Sequence, residues 1–298
     1  MKTLFRAGLL GLSLAACALP AWAQDKTLNV VASFTVLGDI VHQVGGDTVA
    51  VRSLVGPNGD PHVYEPTPQD AQALAKADVV IVSGLDLEGW MDRLITASGY
   101  KGKIIVASDG IVTRRMEDDG KEITDPHAWN SAANGVVYAQ NVTKALAAAD
   151  PAHAATYQAN GAKYEAELKD LDGWARREVA TIPEAKRKVI TSHDAFGYLG
   201  AAYGIEFRAP VGFSTESEAS AGDVAKLIDQ IKHEHIKAVF IENATDPRLV
   251  QQVAKASGAQ MGGELYAEAL STEDGPASTY AKMFRYNITT LVGGMKQN

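Results

Sequence analysis

Short apolar runs rich in valine and isoleucine alternate along this chain with stretches whose apolar residues recur at helical spacing. That alternation predicts strands and helices in turn, and so α/β units with parallel sheets. In the first half the expected strands are 28–33, 49–55, 79–83 and 103–107, with helices over 36–45, 67–75 and 87–97. Thr67, set between Pro66 and Pro68, reads as the N-cap of the second of these helices. The second half repeats the alternation, with strands 188–192, 205–209, 238–242 and 260–264 and helices 195–203, 221–233, 246–257 and 278–295. The charged stretch 108–124 reads as a solvated surface turn.

Between the halves the pattern changes. From 151 to 182 one helical period runs on, with Tyr157, Tyr164, Leu168, Leu171, Trp174 and Val179 on its apolar side and a single internal glycine, Gly161. At the α-helical rise this is on the order of 45 Å, the length of a small protein. It reads equally as a surface helix packed on both halves and as a stiff strut limiting hinge motion between them. The expected fold is therefore α/β: two lobes with parallel sheets, 24–150 and 183–298, joined by a long rigid backbone helix over 151–182.

The amino terminus stands apart. Lys2 and Arg6 precede an apolar run from Ala7 to Leu19, and Ala21-Trp22-Ala23 forms a small-x-small cleavage site. Residues 1–23 thus read as an export signal, too short to span a bilayer, which places the mature chain in the periplasm. Leu14-Ala15-Ala16-Cys17 also fits a lipobox, the alternative being a lipid anchor on Cys17.

Cys17 is the only cysteine. A folded domain without it has no disulfide, no thiolate ligand and no cysteine nucleophile, so any metal must be held by nitrogen and oxygen. The net charge of −8 becomes −10 once Lys2 and Arg6 are removed. Such a surface disfavours nucleic acid and anionic membrane as partners and is compatible with attracting cations.

Three histidines sit where strands end. Asp-Pro-His occurs twice, at Asp60-Pro61-His62 and Asp125-Pro126-His127, and the proline stiffens the backbone beside each imidazole. His193 directly follows the apolar run Val189–Ser192. Ligands of two-lobed α/β proteins bind at the carboxyl ends of strands, so these three converge on the cleft, two from the first lobe and one from the second. Glu268, just past the last strand, is the best-placed carboxylate for a fourth ligand. Imidazoles with a carboxylate suit zinc, with manganese or iron as alternatives. Asp60, Asp125 and Asp194 neighbour the candidate ligands, either as acceptors that fix imidazole tautomers or as loop caps; capping is the simpler reading for Asp60 and Asp125. His42, His153, His233 and His235 lie away from strand ends and read as surface residues. No Gly-x-Gly-x-x-Gly, Gly-x-Ser-x-Gly or His-Glu-x-x-His motif occurs.

These residues resemble a known family, the metal-specific solute-binding proteins of bacterial ABC importers, of the zinc/manganese type. The resemblance spans essentially the whole mature chain. It rests on Gly59–Thr67, Asp125–Trp129, Ser192–Tyr198 and Gly262–Tyr266, and Gly212–Ser220 looks like the three-histidine branch. It implies ligands at His62, His127 and His193, and a fourth position usually held by aspartate, where this chain has Glu268. It further implies capture of one divalent ion, Zn2+ favoured and Mn2+ possible, for an inner-membrane ABC permease. The carrier would be a monomer and not an enzyme. The long histidine-rich loop common in zinc-specialised members is missing. Two rivals are a metal-dependent hydrolase built on the three histidines and a surface-anchored, adhesin-like lipoprotein.

Overall fold

The computed structural model describes residues 27–118, 120–213, 215 and 219–298. The expected export segment with Cys17, and Ser214 and Glu216 to Glu218 of the fifth motif, lie outside the described residues. The first lobe runs β1 (Leu28–Phe34), α1 (Thr35–Gly45), β2 (Val49–Val55), α2 (Pro68–Ala75), β3 (Val79–Val82), α3 (Met91–Ser98) and β4 (Ile104–Val106). A hairpin follows, β5 (Arg115–Asp118) and β6 (Lys121–Thr124), and then α4 (Ala132–Ala149). The long helix α5 spans Ala154–Ala180. The second lobe runs β7 (Lys188–Ile190), α6 (Gly197–Tyr203), β8 (Glu206–Arg208), α7 (Ala221–His233), β9 (Ala238–Glu242), α8 (Arg248–Ser257), β10 (Gln260–Leu265) and α9 (Tyr280–Met295).

The two sheets are wound alike. Their orders are β2-β1-β3-β4 and β10-β9-β7-β8, and every pairing within them is parallel. In each, the first strand pairs with the second on one side and the third on the other. A crevice therefore opens where the winding reverses, between β1 and β3 and between β7 and β9. A register shift between Met261 and Gly263, where Gly263 takes φ 131°, bends β10 shortly before Glu268.

Four local readings change. Helix α4 escaped the pattern because its inward stripe (Val136, Ala139, Val142, Ala145 and Leu146) is largely alanine and valine. The stretch 108–124 contains a two-stranded hairpin, whose Met116 is buried. The helix expected from 87 starts only at Met91, because the preceding chain wraps a buried carboxylate. Glu88 accepts from the Ser33 hydroxyl and the Ser83 amide, both at 2.6 Å, and from the Gly84 amide at 3.0 Å. The long helix begins at Ala154, after a 3-10 turn at Pro151–His153. Gly161 lets it approach α4: a Cβ there would stand 2.2 Å from Oγ1 of Thr143.

Helix α5 packs on α1 and α4 of the first lobe and on α6 and α9 of the second. One hydrophobic core runs from Leu28 through Trp129, Leu168 and Tyr280 to Met295, continuous across both lobes. A smaller core (Ile190, Leu227, Ile231, Ile236, Val239, Val250, Val253 and Ala254) lies on the α7–α8 side of the second sheet. No described helix is long and apolar enough to cross a membrane.

Candidate metal centre

Each first-lobe histidine is fixed by the aspartate two residues before it. Asp60 Oδ1 accepts the His62 amide at 2.8 Å, and Trp90 Nε1 donates to the Pro61 carbonyl at 2.8 Å. Asp125 Oδ1 accepts the His127 amide at 3.0 Å and also lies 2.9 Å from Nδ1 of its ring. Asp60 is thus a loop cap, whereas Asp125 is both a cap and the partner that turns Nε2 of His127 toward the cleft. The Tyr198 hydroxyl, from the second lobe, donates to the Asp125 carbonyl at 3.0 Å.

In the second lobe His193 follows β7 and makes a parallel bridge with Val211. The carboxylate against its ring is Glu242, with Oε2 2.5 Å from Nδ1. Asp194 does not play that part; its amide donates to the Gly212 carbonyl, and burial and the nearby Asp125 raise its pKa. Sequence reasoning gave Glu242 no role. The available signal was its place at the end of β9, two residues beyond buried Phe240 and so on the same face of the strand.

Glu268 sits on a segment held at nearly every residue. The Asn287 side chain grips both the amide (2.9 Å) and the carbonyl (2.8 Å) of Tyr266. Trp129 Nε1 donates to the Ala267 carbonyl at 2.8 Å. The Leu270 amide meets Thr35 Oγ1 at 2.9 Å, and its carbonyl accepts from the Asn58 amide at 3.0 Å. The longer side chain of glutamate therefore reaches the histidines from an anchored backbone.

The four side chains meet. Nε2 of His62 and Nε2 of His127 are 3.2 Å apart, and Glu268 lies 3.1 Å from His193 Nε2, 3.4 Å from His127 Nε2 and 3.7 Å from His62 Nε2. All four donor atoms fall within 4.8 Å of one another. With bonds of about 2.1 Å, a tetrahedral ion has donor–donor edges of about 3.4 Å, so this spacing fits such an ion. His127, His193 and Glu268 are buried, and the Phe213 ring stands edge-on to His62 at 5.1 Å. Burial alone would raise the Glu268 pKa, but the three imidazoles hold it well below the usual value. Its Oε2, buried and 3.7 Å from Nε2 of His62, has no hydrogen-bond partner among the described residues. Among the other histidines, His42, His233 and His235 are exposed, while His153 is half-buried against Asp150 at 2.6 Å.

Residues 30–294 match the family model of the periplasmic component A of zinc-uptake complexes, ZnuA. The chain belongs to this family. ZnuA-type relatives include the manganese-binding lipoprotein MntA of Bacillus subtilis, 35% identical over 278 residues covering 91% of each chain. The metal ABC transporter substrate-binding lipoprotein SloC of Streptococcus mutans is 31% identical over 282 residues and 92% of each chain. The periplasmic zinc binding protein TroA of Treponema pallidum superposes with a TM-score of 0.85 at 30% identity, covering 91% of this chain and 99% of that one. The ZnuA-family chain is thus a metal-binding, substrate-binding protein of ABC importers, with the two-lobed architecture of its solved relatives.

Proposed function

We propose that this protein captures a single divalent transition metal between its lobes, with His62, His127, His193 and Glu268 as the ligands, and hands it to an inner-membrane ABC permease. The observation that carries this is the set of four buried side chains whose donor atoms all lie within 4.8 Å of one another. Three imidazoles and one carboxylate in a tetrahedral spacing favour zinc, with manganese the alternative cargo. The relatives' names divide the same way, manganese for MntA and zinc for TroA. Four protein donors complete a tetrahedral shell and leave no position for an activated water, so the site reads as a carrier rather than a hydrolytic centre. We read residues 1–23 as a cleaved export signal and the mature protein as a periplasmic monomer. Lipidation at Cys17 is the variant of that reading matched by the lipoprotein relatives.

Calorimetric titration of the metal-stripped mature protein with zinc and with manganese tests the assignment, alongside His193→Ala and Glu268→Ala. One-to-one binding that both substitutions abolish is the expected result. Binding indifferent to either residue would remove that residue from the site.

A further inference from the structure

His193 lacks what orients the first-lobe histidines: no Asp-Pro precedes it, and it comes straight off a strand. Its ring is met instead by Glu242, from the neighbouring strand and 49 residues away. The two carboxylate oxygens divide their work. Oε1 accepts the amides of Ser192 at 2.7 Å and His193 at 3.1 Å, fixing the main chain that carries the ring. Oε2 stands 2.5 Å from Nδ1. Among the described residues neither Nδ1 nor Oε2 has a hydrogen-bond partner, the 2.5 Å contact between them being the one polar approach given for either, and both residues are buried. A buried carboxylate oxygen needs a donor, and here only the imidazole can supply one. With the hydrogen on Nδ1, the lone pair of Nε2 is left on the opposite edge of the ring, where Glu268 lies 3.1 Å away.

We propose that Glu242 is the positioning residue of the site: it holds His193 as the Nδ1–H tautomer with Nε2 free for the metal, and it sets the backbone from which the ring projects. The inference rests on the metal-site reading above. It implies a specific defect for Glu242→Gln, which is nearly isosteric. Glutamine can keep its carbonyl on the two amides, but its NH2 then faces Nδ1. The ring is driven to the Nε2–H tautomer, which presents a hydrogen to the metal.

The test pairs zinc affinity with nitrogen-15 NMR of histidine-labelled protein. The expected results are a proton on Nδ1 of His193 in the zinc-loaded wild type and on Nε2 in metal-free Glu242→Gln. The variant should also bind zinc about 10–100-fold more weakly, the range for loss of a partner behind a ligating histidine. The proposal is overturned if wild-type His193 carries no Nδ1 proton, a result that needs no variant to fold. It is equally overturned if Glu242→Gln binds zinc within about twofold of wild type, or binds weakly while keeping the Nδ1–H form, since that pattern reports a purely structural role. A wild-type chain that binds neither zinc nor manganese would sink the underlying reading instead, and that outcome is distinct because it does not involve residue 242.

Discussion

In the first lobe the two histidines ride on loops and are held locally, each by an aspartate two residues upstream, with Trp90 fastening the His62 loop. In the second lobe His193 and Glu268 sit at or just past strand ends, and their supports come from far along the chain, Glu242 for one and Asn287 for the segment bearing the other. The sheets are wound alike, and each buries a glutamate near its crevice. Glu88 ties the ends of β1 and β3 together through Ser33, Ser83 and Gly84 and touches no histidine in doing so. Glu242 makes the matching main-chain contacts at the end of β7 and then spends its second oxygen on an imidazole. The winding thus supplies a buried carboxylate in both lobes, and it meets the histidine cluster only where the strand beside it leads into His193.

Removing a second-lobe donor is expected to have the largest effect. His193→Ala and Glu268→Ala should each weaken zinc binding beyond the ~100-fold upper range for losing an outer partner. His62→Ala should cost less: its ring is as buried as the others, but its main chain is partly exposed, so water can enter the space the ring leaves. Equal losses in calorimetry would break the asymmetry. Next comes pH. Burial opposes charge on His193, but Glu242 and Glu268 outweigh it and hold its pKa well above the usual 6.5. The metal-free protein then carries a proton that the ion displaces. Apparent affinity is fully present above that raised pKa and falls as pH drops through it, about tenfold per unit for each proton displaced. Competition titrations across this window measure the slope, and a flat profile would argue against histidine ligation.

A smaller change is expected at Asp125. Asp125→Asn keeps an oxygen for the His127 amide but loses the charge beside the ring, and zinc affinity should fall by about tenfold, at the low end for such partners. The smallest effect is on stability. Asp70 accepts from Thr67, Tyr64 and Arg52 beside the His62 loop. Burial would raise its carboxyl, and these partners together hold it below the ordinary 3.8. Their stabilisation is present above that value and lost as pH falls through the lowered one. Asp70→Ala should therefore cost about 1 kcal/mol at neutral pH, as for a lost helix cap, and less in acid. Melting curves at both pH values check it.

Much of this molecule was legible in its residues, for identifiable reasons. Valine and isoleucine runs betray buried parallel strands, and Asp-Pro-His carries its own backbone constraint, so the lobes, the long helix and the four side chains that cluster could be named beforehand. Helix α4 was not legible, because alanine at helical spacing gives little contrast. Glu242 and Glu88 were missed because their partners are main-chain amides and, for Glu242, a ring on another strand, contacts that follow from sheet order rather than from neighbours in sequence. The donor spacing depends on lobe packing through Trp129 and Tyr280, whose bonds to the Ala267 and Trp129 carbonyls span more than a hundred residues.

The separate core beneath α7 and α8 has a further consequence. Because it is not continuous with the core shared by the lobes, that layer can open on its own while α5 and the first sheet stay intact. Amide hydrogens of α7 and α8 should exchange with solvent faster than those of α4 and α5. Binding zinc should slow exchange most at β7 and β9, the strand that leads into His193 and the strand that ends in Glu242.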